Sequence, residues 1–235
     1  MRKRIVVTGG TKGIGRAILE KFASEDYDIA VCARNKSELN VLKTDLEKKH
    51  SGIDVFAEAC DVRDMKAVIK WCDELTRKWD KFDILVNNAG TFLPGSVLTE
   101  PEENLSLQIE TNLYSAYHFT RRLIPLIREN SKGHIFNICS IASKTAYAGG
   151  GAYTISKFAV YGFSQCLREE LKPTNIKVTS ILPGATWSDS WRSSSFTSED
   201  MIQSEDIAQL VWQCSQLSKL AVVEEIIIRP QGGDL

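Results

Sequence analysis

The chain has 235 residues, 43% of them hydrophobic and 25% charged, with a formal net charge of −1. That length suits one large α/β domain with a substantial core. The near-neutral balance offers no polyanion-seeking surface, which argues against nucleic acid as a partner, and no apolar run nears the ~20 residues of a membrane helix.

A β-branched strand is expected at Arg4–Thr8, within a few residues of Met1 and with no apolar leader or cleavage site before it. The 6 cysteines sit mostly inside apolar runs, with no CxxC spacing. They read as small buried hydrophobes in a reducing compartment, and the expected location is the cytoplasm. The first strand leads through Thr8-Gly9-Gly10-Thr11-Lys12-Gly13-Ile14-Gly15 into a helix over Gly13–Ser24. Glycines between a strand and a helix let backbone N–H groups approach a pyrophosphate at the positive end of the helix.

The second strand, Asp28–Ala33, ends without the carboxylate that would hold the ribose hydroxyls of NAD. Asp28 opens that strand, roughly 16 Å from the relevant end at ~3.3 Å per residue. Arg34 and Asn35 follow, and Lys12 lies in the loop opposite. Two cations converging on one ribose suit the 2′-phosphate of NADP. A helix over Ser37–His50 and a third strand over Asp54–Ala59 come next, then Asp61-Val62 and a helix over Asp64–Trp79. Asp61 could accept a bond from an adenine amino group or could cap the helix before Asp64. Trp71 and Trp79 read as packing residues.

The fourth strand, Ile84–Asn87, runs into Asn88-Ala89-Gly90. A long helix is expected over Glu103–Glu129, with Asn112 inside it, and a fifth strand over His134–Ser140. The next helix, Ala152–Leu171, carries Tyr153 and Lys157 four residues apart, on one face. The sixth strand, Lys177–Leu182, ends in Pro183-Gly184. A serine-rich segment over 188–205 follows, with Trp187, Trp191 and Phe196 around it, and is either a surface loop anchored by its aromatics or a lid over a substrate. A helix over Ser204–Leu217 and a strand over Glu225–Arg229 complete the chain. His50, His118 and His134 show no metal-ligand spacing.

Strands alternating with long amphipathic helices indicate βαβ units and a doubly wound, mostly parallel sheet, in one domain. Every candidate residue then falls at the carboxyl end of a strand, where open parallel sheets bind ligands. A ketone reduction needs hydride on carbon and a proton on oxygen. Tyr153 is the expected proton donor, with Ser140 orienting the substrate oxygen and the Lys157 ammonium lowering the phenol's pKa.

With these residues in view, the chain resembles the short-chain dehydrogenase/reductase family over nearly its whole length. Thr8, Gly9, Gly13 and Gly15 match its TGxxxGxG loop, and Asn87 to Gly90 its NNAG turn. Asn112, Ser140, Tyr153 and Lys157 match its catalytic tetrad. The resemblance implies a Rossmann-like sheet of about seven strands, NADP(H) as cofactor, and a homodimer or homotetramer built on the helices at Glu103–Glu129 and Ala152–Leu171. It gives Asn112 a water that feeds protons to Lys157, and it puts a nicotinamide-amide contact at Thr186 or Ser188. The implied activity is reduction of a ketone or 3-oxoacyl carbonyl. A pterin- or sugar-type dehydrogenase of the same family, or a non-catalytic NADP sensor, are the alternatives.

Overall fold

The computed structural model describes residues 2–127, 133–188 and 197–233. Seven strands form one parallel sheet: β1 (Arg4–Thr8), β2 (Asp28–Ala33), β3 (Val55–Ala59), β4 (Ile84–Asn87), β5 (His134–Ile138), β6 (Lys177–Pro183) and β7 (Glu225–Ile228). Their spatial order is β3-β2-β1-β4-β5-β6-β7. The chain runs outward from β1 to β3, then crosses back to place β4 beside β1, pairing Val7 with Val86. The direction of winding reverses there, and the crevice at the carboxyl ends of β1 and β4 is the natural ligand position of such a sheet.

The strands are apolar on both faces because helices cover both. Ile5, Val7, Ile29 and Val31 meet Ile18 and Phe22 of α1 (Gly13–Ser24), Leu39 and Leu42 of α2 (Lys36–Lys49), and a later helix over Ser204–Gln216. The alternate residues Val6, Ala30 and Leu85 meet Val68 and Trp71 of α3 (Met65–Lys78) and Phe119 and Leu167 of the helices after β4 and β5. Trp71 and Trp79 are packing residues, as expected, and both are fully buried. Trp71 stands edge-on to Phe56 and Phe119 at centroid distances of 5.3 and 5.4 Å.

One expected element is corrected. The segment after β4 is not a continuous helix over Glu103–Glu129. It divides into α4 (Glu103–Gln108), a π-helical segment (Ile109–Tyr114), α5 (Ser115–Leu123) and a 3₁₀ turn (Ile124–Leu126) containing Pro125. Hydrophobic periodicity cannot register a widened turn that preserves the buried face. Residues 128–132 lie outside the described part. After β5, α6 (Gly151–Leu171) and α7 (Ser204–Gln216) follow the expected ranges closely.

His134 is buried at the start of β5, stacked 3.9 Å from Phe136. The Thr179 hydroxyl donates to the Val223 carbonyl and stands 2.8 Å from His134 Nε2, so the ring nitrogen must carry the hydrogen between them. Burial, reinforced by the nearby Lys177 charge, lowers its pKa to about 3. Five cysteines are buried and Cys166 is exposed, all with free thiols. Among the described residues no helix is long and apolar enough to cross a membrane, and no cluster of three or more His, Cys, Asp or Glu could hold a metal.

Candidate functional site

The crevice is framed by two backbone segments laced together. Thr8 Oγ1 accepts from the Asn88 and Ala89 amides at 3.1 and 3.0 Å. In return Asn88 Nδ2 donates to the Thr8 and Gly9 carbonyls at 2.9 and 2.7 Å. A Cβ on Gly15 would sit 2.4 Å from the Gly9 carbonyl oxygen, so the loop closes this tightly only with glycine there. Gly13, at φ +53, has only the Ser188 Cβ near such a position, at 3.4 Å. Helix α1 starts at this loop with no side-chain cap and no acidic residue in its first turn. Its leading N–H groups therefore face the crevice with the positive end of the helix behind them, a cradle suited to a pyrophosphate. Thr11 and Ile14 are half-buried on its walls and Gly90 is exposed.

The end of β2 and the glycine loop opposite it are richer in ion pairs than the sequence suggested. Arg34 and Lys12 are both exposed, as a phosphate site requires. Lys12 Nζ, however, stands 3.0 Å from Glu38 Oε1 of α2. Asn35 caps α2, accepting from the Ser37 and Glu38 amides. Asp61 is not the helix cap; Asp64 fills that role by accepting from the Lys66 amide at 2.8 Å. Both Asp61 oxygens are instead held by the Arg63 guanidinium, at 3.1 and 2.8 Å. That pairing holds the Asp61 carboxyl below the usual range, with the Arg34 charge adding to it. Val62 is buried in the core.

The residues expected to react sit just after β5 and on α6. The fifth strand stops two residues short of the expected Ser140, which stands in an extended conformation at the head of a 3₁₀ turn (Ile141–Ser143) and accepts from the Ala142 amide at 3.1 Å. Its side chain lies beside that of Tyr153, in the first turn of α6. Phe92 packs edge-on against the Tyr153 ring at 4.8 Å. Lys157, one turn further along, is buried, donates to the Ile138 carbonyl at 2.9 Å and lies 5.8 Å from the Tyr153 ring centroid.

The expected lowering of the phenol by this ammonium is not what the isolated chain shows. Burial raises the Tyr153 pKa against the opposing pull of the neighbouring Ser140 hydroxyl, and burial lowers that of Lys157. Desolvation disfavours the charged form of both groups.

Asn112 is buried in the π-helical segment, whose wider turn brings it inward. Its Oδ1 accepts from the Thr91 amide at 2.7 Å. Its Nδ2 donates to the Thr91 carbonyl and, at 2.8 Å, to Ser156 Oγ of α6. Asn112 Oδ1 and Lys157 Nζ flank Gly90, at 3.3 and 3.7 Å from where its Cβ would be. Pro183 ends β6 and the Gly184 amide donates to Ile228. Of the two hydroxyls after them, Thr186 is buried and donates to the Gly184 carbonyl at 3.0 Å, whereas Ser188 lies over the glycine loop. Trp187, Ser188, Gly13, Arg16 and Gln203 help line a cavity of about 240 Å³ beside it. Of the segment over 188–205, residues 189–196, with Trp191 and Phe196, lie outside the described part. The remainder forms a 3₁₀ turn (Ser198–Asp200) and the start of α7.

Three features escaped the sequence. Phe92, 43% exposed, packs against the Tyr153 ring, and Tyr147, 47% exposed, lies in the loop just before α6. A buried chain of hydrogen bonds, Asn87 to Asn137 to Ser164 to Ser180, ties β4, β5, α6 and β6 together below the site. Glu100 serves α6, whose N-cap Gly150 offers no side-chain bond. Its Oε1 accepts from the Ala152 amide at 2.9 Å, from a loop that also donates Gly95 N–H to the Gly149 carbonyl. A carboxylate 52 residues away thus caps the helix that carries Tyr153. Glu100→Ala should cost about 1 kcal/mol, or roughly 2–4 °C in a thermal unfolding scan. Glu100→Gln, which keeps the acceptor, should lose less. Equal melting of all three chains would remove Glu100 from this role.

Comparison with known proteins agrees with this geometry. The profile of the short chain dehydrogenase family matches residues 3–199. The sepiapterin reductase of Chlorobaculum tepidum is 31% identical over 241 aligned positions, covering 100% of this chain and 99% of the relative. The NADP-dependent 3-hydroxy acid dehydrogenase YdfG of Escherichia coli K12 is 31% identical, covering 91% and 89%. Among solved structures, an alcohol dehydrogenase from the archaeon Thermococcus sibiricus, complexed with 5-hydroxy-NADP, superposes with a TM-score of 0.89. It covers 98% of this chain and 97% of that one, and at 24% identity the likeness speaks to the fold.

Proposed function

Because this chain belongs to the short-chain dehydrogenase family, we propose that it is an NADP(H)-dependent oxidoreductase that reduces a ketone or 3-oxoacyl carbonyl to an alcohol, with Tyr153 as the proton donor. The observation that carries this reading is that Lys157 Nζ, held on the Ile138 carbonyl at the carboxyl end of β5, lies 5.8 Å from the Tyr153 ring, with the Ser140 side chain beside that ring. Two hydroxyls set side by side can both reach one carbonyl oxygen. Ser140 would orient that oxygen, and the Tyr153 proton would pass to it as the carbon is reduced. A bound nicotinamide supplies the hydride. The glycine loop and the uncapped N-terminus of α1 would hold its pyrophosphate, and Arg34 and Lys12 its 2′-phosphate.

The raised phenol suits this direction, because the group that must give a proton keeps it through neutral pH. Lys157 and Asn112, on either side of Gly90, would relay protons back to it. Phe92 and Tyr147 give the substrate side an aromatic flank, which favours carbonyls carrying an apolar or planar group. Full-length similarity to a sepiapterin reductase supports a second reading, a pterin bearing a side-chain ketone. Exposed Tyr114 and Tyr117 near the π-helical segment, with Ile155 and Phe158 on α6, would be covered in a homo-oligomer.

NADPH consumption with a panel of simple ketones, 3-oxoacyl thioesters and pterin ketones tests the proposal. Turnover is expected with one of the first two classes and faster with NADPH than with NADH. Turnover of the pterin alone would install the second reading. Tight NADPH binding without turnover of any member would overturn the enzymatic reading in favour of a sensor.

A further inference from the structure

We propose that Glu38 sets the strength of NADP(H) binding by competing with the cofactor's 2′-phosphate for Lys12. The inference rests on the reading above, that the adenosine end lies between the glycine loop and the end of β2.

Glu38 sits in the first turn of α2, and the Asn35 cap fixes its backbone amide. From there its carboxylate reaches the glycine loop, 3.0 Å from Lys12 Nζ and with the Thr11 side chain nearby. The Lys12 ammonium, with Thr11 beside it, holds the carboxyl below its usual range, so it is ionised throughout the neutral region. Lys12, the loop cation assigned above to the 2′-phosphate, therefore already has an anion beside it. That anion enters from a helix 26 positions beyond Lys12, not from the strand end where a ribose-binding acid would stand.

A phosphate entering beside Arg34 must share Lys12 with Glu38 or displace it, and the two like charges repel. NAD(H), which lacks that phosphate, asks nothing of Lys12. With side-chain exposures of 57% for Lys12 and 35% for Glu38, the ion pair is solvated and its effect is modest. Glu38 thus acts as a resident rival that keeps NADP(H) exchangeable, while Lys12 and Arg34 keep it preferred.

Equilibrium titration of NADPH and NADH by nicotinamide fluorescence, on the parent chain and on Glu38→Gln, tests this without any substrate. The variant should bind NADPH about fivefold tighter, the scale of an exposed ion pair. NADH affinity should not change, and the NADPH gain should shrink as salt is added. Unchanged or weaker NADPH binding, or an equal gain for NADH, would overturn the role of Glu38. A parent chain that binds neither dinucleotide would instead overturn the cofactor reading, and the proposal with it.

Discussion

Tyr153→Phe is expected to bind NADPH as the parent chain does and to lose at least about a hundredfold in turnover, the usual scale for removing a general acid. The substitution deletes one oxygen. The ring keeps its edge-on contact with Phe92, and the backbone of α6 keeps its Glu100 cap. Thermal stability should therefore be nearly unchanged, so a loss of rate cannot be laid to misfolding. The surviving activity would come from positioning and from the remaining Ser140 hydroxyl. For the parent chain, reduction should hold steady through neutral pH and fall only on the alkaline side, where the phenol loses its proton. Because burial sets the Tyr153 pKa above its ordinary value, that fall begins at higher pH than for a free tyrosine. A Tyr153→Phe chain that reduces its substrate at near-parent rates would reject the assignment.

A second large effect is expected in the cold chemistry of the core. His134 titrates near its ordinary 6.5 in the unfolded chain but only at about 3 in the folded one. Between those values the unfolded state binds the extra proton, so stability is intact above pH 6.5 and drains away as pH falls towards 3. Each pH unit across that window is worth up to about 1.4 kcal/mol, and the whole of it on the order of 5 kcal/mol. That is a large share of the ~5–15 kcal/mol by which domains are stable. Urea unfolding at a series of pH values should show the parent losing stability faster than His134→Gln between pH 6.5 and 4, even if the variant starts lower. Parallel pH profiles for the two chains would show that this ring is not the acid-sensitive group.

The sequence carried those features that local chemistry dictates. The observed limits of β1, α1, β2 and β4 coincide with the expected ones because glycine loops, charged ends and apolar runs mark them sharply. The positions of Tyr153, Lys157 and Ser140 followed from the alternation of strands and helices, since a parallel sheet delivers every strand end to one side. What escaped was contact between distant residues. Glu100 meets α6 and Glu38 meets Lys12 only after the sheet has folded, and neither residue stands in a recognisable motif. The engagement of Asp61 by Arg63 turns on a side-chain rotamer, which spacing does not encode. The direction of the Tyr153 and Lys157 shifts depends on burial, which a helical face drawn from sequence leaves open.

The π-helical segment has a consequence for chain length. A π turn is an α-helix carrying one surplus residue, and an ordinary helix would bond its backbone better. Removing one position between 109 and 114 would let α4 and α5 merge into a straight rod, but it would swing every later side chain about 100° around the axis. The bonds from Asn112 to Thr91 and Ser156 depend on the present phase. Here the tighter backbone and the placed amide call for different numbers of residues, and the chain has kept the longer count.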